Sequence, residues 1–256
     1  MKILAIGDIV GTRTVAYLKE KLWKQRSALG ADFVIANGEN ASEIHGICCA
    51  DAEEILSSGV DMITLGNHSF GRRDIFNMLS DSACIIRPAN YPACVPGSGC
   101  SILNIDGWKI LSINVLGTAL MDSMGCPFNA VDRILAREEG NYDISVLDIH
   151  AESTSEKIAL ARYFDGRINV IFGTHTHVPT ADEQILPNGS GYITDLGMSG
   201  PTGGVIGADA QSVIDRMRTK IPVHFKVAEG EVKVHGALFT LNTDTMRVTE
   251  VKRISF

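Results

Sequence analysis

No apolar stretch in this sequence approaches the ~18 residues needed to span a bilayer, so no membrane segment is read in it. There is no run of lysine or arginine either, and the net charge is −7. The chain therefore lacks the basic face that holds a long nucleic acid. A nucleotide is not excluded, because bound cations would supply local positive charge. The six cysteines, Cys48, Cys49, Cys84, Cys94, Cys100 and Cys126, form no C-x-x-C pair and no regular framework. A core that needs no cross-links then points to free thiols in a reducing cytoplasm. No internal repeat and no low-complexity linker divides the chain. The opening Met1–Ile6 superficially resembles a secretory leader. Gly7-Asp8 cuts it short with no small-residue cleavage site in range, so it reads as a first buried strand.

What is present is ordinary for a globular protein: 256 residues, 45% apolar and 21% charged. A chain of this length buries roughly three quarters of its unfolded surface, enough for a self-sufficient core in one domain spanning 1–256. Through residue 180, short apolar runs alternate with segments of helical spacing. The runs are Lys2–Gly7, Asp32–Ala36, Asp61–Leu65, Ile110–Val115, Ile144–Ile149 and Ile168–Phe172. The helical segments are Thr14–Leu29, Ala50–Ser58, Arg72–Leu79, Ala130–Glu138 and Ser155–Phe164. This alternation predicts a sheet with helices on its faces. Hairpin signals stand at Asp106-Gly107, Asn188-Gly189 and Glu229-Gly230. From Pro222 to Phe256 the chain turns β-rich, which a second sheet stacked on the first would explain. The expected class is α/β, a four-layer α-β-β-α sandwich of two stacked mixed sheets.

Polar clusters follow the apolar runs: Gly7-Asp8, Asn37-Gly38-Glu39-Asn40, Gly66-Asn67-His68, Asp148-Ile149-His150 and Gly173-Thr174-His175-Thr176-His177. In open α/β sheets, ligand crevices lie at the carboxyl ends of strands, so these clusters are expected to converge. The H-x-H spacing lets two adjacent metal ions each take one nitrogen from a single turn. In an extended segment its two imidazoles would project to the same side. Together the clusters offer oxygen and nitrogen donors suited to a two-metal hydrolase. Taken singly, each has a plainer reading. Asp8 would cap the helix near Thr12, and His150 would be a satisfied core histidine. The weight lies in the set. Asp148 shares a strand face with His150; it either orients a ligand or is purely structural. Arg87 and Asn90 either face the crevice or belong to a rigid turn. Gly200-Pro201-Thr202-Gly203-Gly204 either approaches a phosphate or is a plain turn. His45, His224 and His235 carry no signal and read as surface or packing residues.

These residues resemble the calcineurin-like metallophosphoesterases and, more narrowly, their YmdB-type branch. The narrow resemblance rests on Gly7-Asp8-Ile9-Val10-Gly11, Asn37-Gly38-Glu39-Asn40-Ala41, Gly66-Asn67-His68, Arg87-Pro88-Ala89-Asn90, the segment Asp148–Lys157, the segment Gly173–Asp182, Tyr192-Ile193-Thr194-Asp195 and Val227-Ala228-Glu229-Gly230. Two positions depart from the wider superfamily. Val10 stands where most members have a histidine, and Gly38-Glu39-Asn40 stands in place of a G-D-x-x-D motif. Both departures resemble the YmdB-type branch.

The resemblance implies two divalent metal ions. Asp8, Glu39, Asn40 and His177 would hold one, and Glu39, Asn67, His150 and His175 the other, with Glu39 bridging. Ligation this rich in oxygen favours iron(II) or manganese(II). Two cations about 3.5–4 Å apart can share a hydroxide that attacks phosphorus in line. His68, next to Asn67, would protonate the leaving oxygen. The implied activity is a metal-dependent phosphodiesterase acting on a small phosphodiester such as a 2′,3′-cyclic nucleotide. The alternatives are a phosphomonoesterase or nuclease on the same site, or a regulatory protein that binds metal and nucleotide. Beyond that substrate, no membrane or long nucleic acid is expected as a partner, and the sequence leaves room for a homo-oligomer.

Overall fold

Alternation along the first strand, β1 (Lys2–Ile6), sets the architecture. Ile3 and Ala5 lie on one face, Leu4 and Ile6 on the other, and all four are fully buried. A strand buried on both faces must lie between two covering layers. In the computed structural model, which describes residues 1–43 and 45–256, those layers are helices on one side and a second sheet on the other. Leu4 and Ile6 pack with Val15, Leu18 and Leu22 of α1 (Thr12–Leu29) and with Ala52 and Ile55 of α2 (Cys49–Ser57). Ile3 and Ala5 pack with Phe33 and Ile35 and, from the second sheet, with Ile144, Val146, Val170 and Phe172. On the far side of that sheet, Leu111, Ile113, Leu147 and Ile149 meet Val131 and Ile134 of α4 (Pro127–Arg137) and Leu160 and Phe164 of α5 (Thr154–Phe164). The expected α-β-β-α sandwich of stacked mixed sheets is what the chain forms.

The first sheet runs β15 (Arg247–Ser255), β14 (His235–Asn242), β1, β3 (Phe33–Asn37), β4 (Met62–Thr64), β5 (Ile85–Ile86). From β1 to β5 its strands are parallel, and β14 and β15 are antiparallel additions. The second runs β10 (Gln184–Ile185), β11 (Gly191–Ile193), β9 (Val170–Thr174), β8 (Ile144–His150), β7 (Trp108–Leu116), β6 (Cys100–Ile105). Its centre is parallel and its two edges are antiparallel. A small third sheet joins β13 (Val232–Lys233), β12 (Met198–Pro201) and β2 (Asp8–Ile9). Two further helices are α3 (Ile75–Asp81) and α6 (Ala210–Thr219).

Three expectations need correction. The second sheet starts at β6, not at Pro222. The carboxyl-terminal strands instead extend the first sheet along β1, where the alternating Ala237, Phe239 and Leu241 enter the core between the sheets. Asp106-Gly107 and Asn188-Gly189 do link antiparallel strands. Both residues of Asp106-Gly107 have positive φ, 49° and 91°, as the favoured two-residue hairpin turn requires. Glu229-Gly230 closes no hairpin: Val227 bridges to Ala208, and the chain then passes into β13. The last hairpin turns after Asn242, whose side chain accepts from the amides of Asp244 and Thr245. Finally, α6 lies in a stretch for which the sequence reading offered no element. Its start signal is Asp209, whose carboxylate accepts from the Ser212 amide at 2.9 Å.

The cysteines are free thiols, as expected. Among the described residues, no helix is long and apolar enough to cross a membrane.

Candidate metal centre

The parallel strands of both sheets deliver the polar clusters to one crevice. Asp8 follows β1, Glu39 and Asn40 follow β3, and Asn67 and His68 follow β4. From the opposite sheet, β8 ends in His150, and His175 and His177 follow β9. Asp8, Glu39, Asn40 and His150 are all at most 4% exposed. Gly66 leaves space where they meet. A Cβ there would stand 2.3 Å from His150 Nε2 and 2.4 Å from Glu39 Oε2, so only hydrogen fits.

One set of donors converges around His150 Nε2. Glu39 Oε1, Asn67 Oδ1 and His175 Nδ1 each lie 3.1 Å from it. A single ring nitrogen cannot hydrogen-bond all three, so the four atoms form a donor set rather than a bonding network. The tautomers are fixed from behind. His150 Nδ1 lies 2.8 Å from Thr174 Oγ1, whose own proton goes to Asp148 Oδ1 at 2.7 Å. Nδ1 therefore carries a ring proton, and Nε2 is the nitrogen that faces the crevice. His175 Nε2 is held by Glu152 Oε2 at 3.1 Å, which leaves Nδ1 facing inward. Asp148 thus orients His150 through Thr174, and it also accepts from Thr64 and Asn37.

A second set lies across Glu39. His177 donates from Nδ1 to the Ile206 carbonyl at 2.9 Å, so its Nε2 faces Asn40 Nδ2 at 3.3 Å and Asp8 Oδ1 at 3.8 Å. Asn40 gives its nitrogen to Glu39 Oε1 at 3.2 Å. The buried oxygens Asp8 Oδ1 and Asn40 Oδ1 have no hydrogen-bond partner among the described residues. Leaving such an atom unsatisfied costs about 1–3 kcal/mol, a cost that a bound cation removes. Electrostatics agree. Burial opposes charge on His150, but Glu39 and Asp8 outweigh it and raise the imidazole to about 9. Burial and the neighbouring His150 push His175 down to about 3, leaving it neutral. Two carboxylates and two amides, set among imidazoles and calling for positive charge, suit divalent cations. Among the described residues, donors of Glu39, His150 and His175 all lie within 4.8 Å of one another.

The H-x-H turn is not extended. His175 and His177 have φ of 98° and 65°, so the two rings diverge, one toward His150 and one toward Asp8 and Asn40. Such backbone costs on the order of 1–3 kcal/mol per residue and persists only when its surroundings enforce it. Thr176 supplies the restraint. Its hydroxyl and amide donate to Asp195 Oδ2 at 2.8 and 3.3 Å. Asp195 is paired in turn with the fully buried Lys157 at 2.6 Å. Lys157→Met, which strands a buried carboxylate, is expected to lower unfolding stability by about 3–5 kcal/mol. A urea titration reads this directly, and a loss below about 1 kcal/mol would show that the pair restrains nothing.

His68 sits at the mouth. Its amide donates to Glu39 Oε2 at 3.0 Å, and its Nε2 lies 3.1 Å from Asn67 Nδ2. The Asn67 amide thus reaches the donor set with its oxygen and His68 with its nitrogen. Burial lowers the His68 pKa. His45, read from sequence as carrying no signal, packs against His68 with ring centroids 4.2 Å apart and the rings tilted by 36°. Both line a cavity of about 420 Å³ whose other wall is apolar, with Val213 and Met217 of α6 and Phe225.

Several candidates lie elsewhere. Arg87 donates to the carbonyls of Pro96 and Pro88, and Asn90 to those of Leu116 and Gly125, so both brace turns. Gly200 belongs to β12 against Val10, and the loop beyond it does not line the cavity. The orienting roles of Thr174, Asn37, Glu152 and the Ile206 carbonyl were missed. Of these four, only Glu152 is a carboxylate close in sequence to a histidine, two residues from His150.

A model of the YmdB-like protein family matches residues 4–254. The chain is 39% identical over 254 residues to the 2′,3′-cyclic-nucleotide 2′-phosphodiesterase of Bacillus subtilis (strain 168), covering 99% of this chain and 96% of that one. Among solved structures, a hypothetical protein from Thermus thermophilus superposes with a TM-score of 0.94 at 36% identity, covering 100% of this chain and 99% of the other. A novel phosphatase from Mycoplasma pneumoniae superposes equally well, with a TM-score of 0.94 at 33% identity over 100% and 93% of the two chains.

Proposed function

This chain belongs to the YmdB-like protein family and is accordingly a phosphoric ester hydrolase; we propose that it uses two divalent cations to hydrolyse a small phosphodiester, a 2′,3′-cyclic nucleotide. The observation that carries the reading is the pair of donor sets sharing Glu39, with the partnerless oxygens of Asp8 and Asn40 in one of them. Asp8, Glu39, Asn40 and His177 hold one cation. Glu39, Asn67, His150 and His175 hold the other. No cysteine lines the cavity among the described residues, so iron(II) or manganese(II) fits better than a thiolate-seeking metal. Free thiols suit a cytoplasmic setting.

When bound, such a cation pair neutralises phosphoryl charge and makes water a nucleophile near neutral pH. The chain's own residues do the rest. Thr174, Glu152 and the Ile206 carbonyl keep the three imidazoles in the ligating tautomer. His68, tied to Asn67 and Glu39, gives a proton to the departing oxygen. Met217 and Phe225 offer the nucleobase an apolar wall.

Protein purified without chelator is expected to carry close to two equivalents of iron or manganese and to hydrolyse bis-p-nitrophenyl phosphate faster than p-nitrophenyl phosphate. A fully active preparation with one equivalent or none removes the two-cation reading. Preference for the monoester makes the protein a phosphomonoesterase, and turnover of neither leaves a metal- and nucleotide-binding regulator.

A further inference from the structure

A second and larger cavity, of about 670 Å³, adjoins the metal cavity. His45 and Phe225 line both, so the two are contiguous. The chemistry of the second is different. Its lining includes Arg72, His224 and Lys226, with Glu43 as its carboxylate. Arg72 is paired with Glu43 at 3.1 Å, while Lys226 is exposed and forms no ion pair among the described residues, its charge acting on Asp209 outside the cavity lining. A protein with a net charge of −7 therefore presents, next to its catalytic crevice, a hollow whose lining carries one positive charge in excess, that of Lys226.

The order of groups gives this hollow a place in the reaction. The donor sets come first, then His68 beside Asn67, then His45 packed against His68, then the second cavity. His68 is the proposed acid at the departing oxygen, so the hollow lies on the leaving-group side. In a 2′,3′-cyclic ester, the departing oxygen belongs to the ribose itself. Any further nucleotide hangs from the 5′ oxygen of that same ribose, and so continues on the leaving-group side. Its phosphate would meet Lys226 and Arg72, and its base would meet the rings of His45 and Phe225. Flat rings beside cationic side chains are the usual platform for a single-stranded nucleotide.

We propose that this cavity is a subsite for a second nucleotide, one phosphate and one base, adjoining the ester that is cleaved. The inference rests on the phosphodiesterase reading and narrows its substrate class to short oligonucleotide ends bearing a cyclic phosphate. The cavity's size and the overall negative charge limit the chain to few units.

Binding to the metal-loaded protein tests it independently of turnover. The probes are adenosine 3′-monophosphate and the dinucleotide adenylyl-(3′→5′)-adenosine 3′-monophosphate, each titrated by calorimetry. The dinucleotide is expected to bind roughly tenfold to a hundredfold tighter, the gain of one charge-assisted contact and one stacked base. Lys226→Ala should remove most of that ratio and Lys226→Glu more of it. Both should leave the mononucleotide affinity and the rate on bis-p-nitrophenyl phosphate unchanged. Equal affinities in the unaltered protein, or a Lys226 variant that weakens both probes alike, overturn the subsite. Preference for the dinucleotide without any turnover of bis-p-nitrophenyl phosphate keeps the subsite and removes the phosphodiesterase reading.

Discussion

Glu39→Gln is expected to abolish turnover and to release both metals. The carboxylate stands between the two donor sets. One oxygen lies 3.1 Å from His150 Nε2 and 3.2 Å from Asn40 Nδ2, and the other accepts from the His68 amide at 3.0 Å. Burial would favour its neutral form, yet His150 and His68 hold it down at about 2, so it is charged at neutral pH. Glutamine keeps the shape and removes the charge. Two cations then face each other with one anion fewer between them, and mutual repulsion in a buried site is severe. Metal content should fall from near two equivalents to below one, with no measurable rate on bis-p-nitrophenyl phosphate. Val10→His, which adds an imidazole where the wider superfamily has one, should be far milder. A Glu39→Gln protein with unaltered metal content and rate would mean that Glu39 bridges nothing.

His68→Ala should keep both metals and lose the rate selectively. Its backbone, not its ring, touches Glu39, and the ring meets Asn67 at Nδ2, not at the oxygen that faces His150, so truncating the side chain is expected to leave the donor atoms in place. On a diester with a poor leaving group, the rate should drop by roughly 10²–10⁴-fold, the usual contribution of a positioned acid. On bis-p-nitrophenyl phosphate, whose leaving group departs readily as an anion, the loss should be much smaller. Measuring both esters with metal analysis in parallel separates the roles. An equal loss on both esters, together with loss of a metal, would make His68 a ligand instead.

The strands that deliver the proposed ligands were legible in the sequence because a strand buried on both faces is a near-continuous apolar run that stops abruptly at its polar end. Asp8, Asn67 and His150 each stand at or just past such a stop. The supporting residues were not legible. Thr174 is an ordinary threonine until the pairing of β8 with β9 sets it opposite His150, and Asn37 reaches the same spot from the other sheet. The two positive φ values of the H-x-H turn were also hidden, since neither histidine is a glycine or asparagine. The carboxyl-terminal strands were seen as strands but assigned to the wrong sheet, because alternation shows which face is apolar and not which edge is free. The apolar wall of α6 went unread because its few apolar positions, Val213, Ile214 and Met217, sit among charged ones.

Neither sheet owns the proposed metal centre. Glu39, Asn40 and Asn67 follow strands of one, His150, His175 and His177 come from the other, and Asp8 stands just past β1 in the small third sheet. Each sheet alone is half a claw. The donors close on a common point only when the two layers are stacked in their final register, so a chain whose halves have docked askew has no place for the ions. Loading of the proposed centre would thereby report that the two layers are docked in register.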